Sequence, residues 1–220
     1  MDILDIKRVI KSVPAVYPYL GRDAQKLAAK DFQSYDALRN DYWARVYDSV
    51  ETYLEASRPL TLYRNSMQNL VTDYFQEAVE LGYQDGGATL PLDDDTQGLV
   101  DNAISSEIGH IQDLFVGLRD NSIPDYASEA FARADGYAGG LDAIYNLGKI
   151  SAVGNKMLTF DGDDGKESCP DCQRLKGQRH RASWWLDQDL VPRPGNDNFE
   201  CKGYNCEHYL VDDNGDQFTQ

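Results

Sequence analysis

Four cysteines are the residues of this chain best suited to chemistry, and all four fall in its last quarter. Two form the knuckle Cys169-Pro170-Asp171-Cys172 and two the knuckle Cys201-x4-Cys206, with 28 residues between the pairs. A knuckle brings two thiolates to one ion, and two knuckles complete a tetrahedral site with sulfur about 2.3 Å from zinc. His208, two residues beyond Cys206, adds a fifth donor, because imidazole ligates zinc as well as thiolate does. Cys169, Cys172 and Cys206 are the expected heart of the site, with Cys201 or His208 as the fourth ligand. His180 is a weaker candidate, since Arg179 and Arg181 flank it and disfavour a nearby cation.

Two disulfides, a redox dithiol and inert buried thiols are the competing uses of these cysteines. Cytoplasmic synthesis argues against structural disulfides, and the Cys169/Cys172 pair does not close a strand of a βαβ unit as a redox motif would. A structural Zn2+ is the expected cofactor. A catalytic zinc needs an open position and a general base, whereas here four or five donors fill the coordination sphere. The His-x-Glu that precedes the paired cysteines of zinc deaminases is absent, and an HNH-type nuclease would have to rely on His180. The aspartate-rich stretches do not fit a calcium loop: from Asp161 the glycine comes one position early, and from Asp212 the chain ends before position 12. No catalytic residues are expected, and the chain reads as a non-enzyme.

Charge narrows the partners. The chain carries a formal charge of −16, with 28 Asp and 9 Glu against 21 Lys plus Arg. Affinity for nucleic acid comes mainly from cations that neutralise phosphates, so DNA would be repelled by most of this surface. The only local basic patch is Arg174, Lys176, Arg179 and Arg181. No stretch approaches the roughly 18 apolar residues that span a membrane, and the N-terminus lacks a signal-peptide core. Cytoplasmic synthesis without membrane insertion is expected.

Periodicity supplies the elements that must carry the site. Apolar residues recur at helical steps from about Asp23 to Ser57, through Leu27, Tyr35, Leu38, Tyr42, Val46, Val50 and Tyr53. A second helix is predicted from about Leu60 to Leu81, with Gly82 at its end. A third starts near Asp95 or Thr96, and a fourth is capped at Ser122 and runs to about Lys149. Gly136, Gly139 and Gly140 interrupt the fourth pattern and predict close packing of another backbone on that face. The tyrosines, at helical spacing, are expected in the core or at interfaces, and His110 is not expected to be a ligand. Short strand-like pieces and turns follow Gly154. The predicted fold is mainly α: a helical bundle over residues 1–152 and a small zinc-stapled α+β module over 153–220.

The last third also carries a resemblance. The order "RADGYAGGLDAIYNLGK", "CPDCQRLKGQRHRASWW", "PRPG" and "CKGYNCEHYL" resembles the C-terminal region of the Mu F-like, or phage head morphogenesis, family of tailed-phage minor head proteins. Cys169, Cys172, Leu175 and Gly177 match its first knuckle. Cys201, Gly203, Asn205, Cys206 and Leu210 match its terminal segment, with Lys202 and His208 as departures. His208 stands where cysteine is common, an exchange that would preserve zinc binding. The resemblance covers about residues 130–211 and implies a structural virion component, present in few copies and acting near the portal during head assembly. Its implied partners are other virion proteins, the portal and the major capsid protein; its implied location is the virion head after assembly in the host cytoplasm. The alternative from a different class is a nucleic-acid-acting zinc protein, an HNH-like nuclease or a DNA-binding adaptor using the four basic residues above.

Overall fold

The computed structural model describes residues 34–55, 60–120, 126–162, 168–193, 196–202 and 207–219. Four long helices come first: α1 (Tyr35–Glu55), α2 (Leu60–Asp85), α3 (Asp94–Arg119) and α4 (Tyr126–Ala152). Strand β1 (Met157–Gly162) follows, then the short helix α5 (Pro170–Leu175), β2 (Arg179–Arg181), the short helix α6 (Ala182–Asp187) and β3 (His208–Val211). The chain is thus mainly helical with one small antiparallel sheet, in the order β2-β1-β3.

Helix α2 packs against each of the other three long helices. Its stripe of Tyr63, Met67, Leu70, Tyr74 and Ala78 is buried, as are Leu38, Tyr42, Val46 and Val50 of α1. On α3, Val100 and Ile111 are buried while Ile104 and Ile108 are partly exposed. Asp93 caps that helix: its carboxylate accepts the Thr96 N–H at 2.7 Å, and Asp94 and Asp95 put negative charge at the positive end of the helix dipole. The helix begins at Asp94, just ahead of the expected start. Leu27 and the Ser122 cap lie outside the described residues.

Gly82 does not end its helix. Helix α2 continues to Asp85, and Gly82 lies where the backbones of α2 and α4 touch. A β-carbon on Gly82 would stand 2.0 Å from the Tyr145 carbonyl oxygen, and one on Gly148 would stand 2.3 Å from that of Val79. The close packing expected at the other α4 glycines is narrower than the sequence suggests. Gly140 faces the Phe75 ring, 3.2 Å from where a β-carbon would be, while the space at Gly139 is open.

Aspartate does more than charge the surface. Tyr35 donates to Asp142, Tyr74 to Asp41, Tyr83 to Asp93 at 3.0 Å and Tyr145 to Asp85 at 2.6 Å. The first, second and fourth of these pairs join different helices, so phenol and carboxylate satisfy each other along the bundle. Desolvation first, and then the carboxylate partner, raise all four tyrosine pKa values.

A second buried cluster begins where α4 ends. Ile150, Leu158, Phe160, Trp185, Phe199, Leu210 and Phe218 form it, and Trp185 Nε1 donates to the Leu158 carbonyl at 3.1 Å. Residues 158 and 160 of β1 face this cluster and pair in register with His180 and Leu210. Among the described residues, no helix is long and apolar enough to cross a membrane.

Candidate metal centre

The first knuckle is a helix start. Pro170 occupies the first turn of α5, where its fixed φ and missing N–H suit a helix N-terminus. Cys169 is the cap, and its Sγ accepts the Cys172 N–H at 3.5 Å. Cys172 and Leu175 turn inward and are buried. Gly177 then takes φ 79°, a left-handed conformation that glycine adopts without steric cost, and turns the chain into β2.

The turn that leads to Cys201 is organised by an amide. Asn196 is 1% exposed, and its Nδ2 donates to the carbonyls of Asp189 at 2.8 Å and Val191 at 3.0 Å, while its Oδ1 accepts the Asn198 N–H at 3.0 Å. The next turn closes with Lys202 N–H donating to the Phe199 carbonyl at 2.8 Å. It presents Cys201, and it leaves Lys202 at φ 52°, an unusual conformation for a side chain with a β-carbon. Asp171 ties the first knuckle to the turn before Cys201, its Oδ2 accepting the Glu200 N–H at 3.0 Å.

These contacts bring Cys169, Cys172 and Cys201 together, none of them in a disulfide, with their sulfurs within 4.8 Å of one another. Zinc–sulfur arms of about 2.3 Å in a tetrahedron set the sulfurs about 3.8 Å apart, so the three are close enough to hold a metal ion. Partial burial raises the Cys169 pKa, but hydrogen bonds from the backbone of Cys172 and Cys201, and then from their side chains, outweigh it and hold the thiol below its ordinary value. That direction favours the thiolate, the form that ligates a metal.

The other candidates lie differently. His208 stands on β3, 2% exposed, with its ring stacked on Phe160 at a centroid distance of 5.5 Å. It is not one of the three-residue group, and Cys206 lies outside the described residues. His180 stacks on Trp184 at 3.7 Å and meets the edge of Trp185 at 5.3 Å, apart from the thiols. His110 is exposed on α3.

Asp171 and Asn196 are the site residues that sequence reasoning overlooked. Asp171 sits inside the knuckle itself, where an acceptor two residues past Cys169 could have been asked for a donor. Asn196 follows "PRPG" in a turn-rich run, and nothing in that run shows that it is buried. Comparison with known protein families, curated proteins and solved structures gives no match to this chain.

Proposed function

We propose that this chain is a structural assembly protein whose C-terminal segment is stapled by one zinc ion. The observation that carries this reading is the convergence of Cys169, Cys172 and Cys201, from two turns far apart in sequence, onto one small volume. Three soft donors suit zinc, and Cys206 or His208 would complete a closed structural site, the kind that contributes folding energy and not catalysis. The motif resemblance then supplies the setting: a minor head protein acting through contacts with the portal or the major capsid protein. The acidity of the chain supports protein partners over nucleic acid.

The test is mass spectrometry of phage particles from cells making this chain, with Cys169→Ser in parallel. The reading expects a few copies per wild-type particle and defective heads with the variant. A chain that keeps its zinc but never enters particles would instead be a stapled module of cellular interactions.

A further inference from the structure

The three-stranded sheet has two edges, and the chain treats them differently. At the β3 edge the terminal segment folds back. Val211 bridges to Gln217, the Phe218 N–H donates to the Leu210 carbonyl at 2.8 Å, and Thr219 Oγ1 accepts the Leu210 N–H at 2.7 Å. At the other edge, among the described residues, β2 pairs with β1 alone.

The ladder shows which groups that edge presents. The Phe160 N–H donates to the Gln178 carbonyl at 3.0 Å and the Phe160 carbonyl accepts the Gly177 N–H at 2.8 Å, so the ladder is irregular where the chain enters β2. At the other end the Ala182 N–H donates to the Lys156 carbonyl at 2.8 Å, and within β2 the register sets His180 as the residue that bonds toward β1. Alternation turns the N–H and C=O of Arg179 and the N–H of Arg181 outward. Both side chains are exposed and, two residues apart, share one sheet face. Each already holds an oxygen acceptor: Arg179 meets Asp213 at 2.6 Å, and Arg181 donates to Asn155 at 3.0 Å. Such exposed contacts contribute little stability and exchange readily for others.

We propose that the β2 edge receives an extended acidic segment of a partner protein by strand addition. Main-chain groups of Arg179 and Arg181 would supply the ladder, and carboxylates at alternate positions of the added strand would face the two guanidinium groups. A second copy of the same edge is disfavoured, because arginines would then oppose arginines. Nucleic acid fits less well: a phosphate backbone makes no use of an outward N–H and C=O pattern at strand spacing, whereas an added strand pairs with both groups. This inference stands apart from the virion setting and requires only the sheet.

The test uses the full chain and a short synthetic peptide alternating glutamate with threonine, with a glutamine-for-glutamate counterpart and a single-stranded oligonucleotide as rival ligands. Saturable binding of the acidic peptide is expected, with slowed amide hydrogen exchange at Arg179 and Arg181. Replacing both arginines by alanine should weaken binding about fivefold, the weight of two cross-strand charge pairs. Three results would each overturn the proposal: no saturable peptide binding at low salt, peptide binding that leaves those two amides exchanging as before, or binding of the oligonucleotide alone.

Discussion

Gly82 of α2 and Gly148 of α4 form a reciprocal contact in which each glycine makes room for a carbonyl of the other helix, that of Tyr145 and that of Val79. No rotamer change relieves a β-carbon 2.0 Å from a backbone oxygen. Alanine at either position gains about 1 kcal/mol of helix propensity but must push the helices apart, at a cost of about 1–3 kcal/mol or more. Gly82→Ala and Gly148→Ala should therefore lower the melting temperature by several degrees. Gly139→Ala, where the space is open, should raise it. Thermal unfolding followed by circular dichroism distinguishes the three.

Asn196 makes three hydrogen bonds while almost wholly buried. Asn196→Ala leaves two carbonyls and one N–H without that partner, a loss of about 2–3 kcal/mol at roughly 1 kcal/mol per bond. Because the turn bearing Cys201 hangs from this amide, metal affinity should fall as well. Competition with a chromophoric chelator measures that loss, and unchanged affinity would separate the loop from the site.

Lys202 adopts φ 52° immediately after Cys201. An L-residue with a β-carbon in this region costs about 1–2 kcal/mol, and glycine avoids the clash at some expense in unfolded-state entropy. Lys202→Gly should stabilise the chain by up to about 1 kcal/mol, read as a higher urea midpoint at unchanged slope.

Glu107 lies on α3 facing Gly140, and burial alone lifts its carboxyl from 4.5 to about 7. Below pH 4.5 the group is neutral folded or unfolded. Between 4.5 and 7 only the unfolded chain ionises, and above 7 the folded state bears the full desolvation cost. Stability from this group is therefore lost as pH rises through that window, by at most about 3 kcal/mol. Glu107→Gln should remove that slope and be more stable than the native chain at pH 8, as measured by urea unfolding across the range.

Much of the bundle is legible in the sequence because buried stripes at helical spacing leave few alternatives: Leu38 to Val50 and Tyr63 to Ala78 are buried where the period puts them. Gly82 misled because a glycine near the end of a pattern signals a helix stop locally, and only the partner helix shows that it is a packing notch. The cysteine spacing pointed to a cluster that could hold a metal ion, yet spacing cannot rank donors. Cys201 joins Cys169 and Cys172 because Asp171 and Asn196 fold the loop toward them, a long-range effect with no periodic signature.

The central claim is one structural zinc held by the knuckles, and the most direct test is elemental analysis of protein purified under reducing conditions, with thiols counted before and after chelation. One zinc per chain, with thiols appearing on chelation, is the predicted result. A metal-free chain whose thiols are all reactive from the start would contradict it, as would one with no free thiols at all.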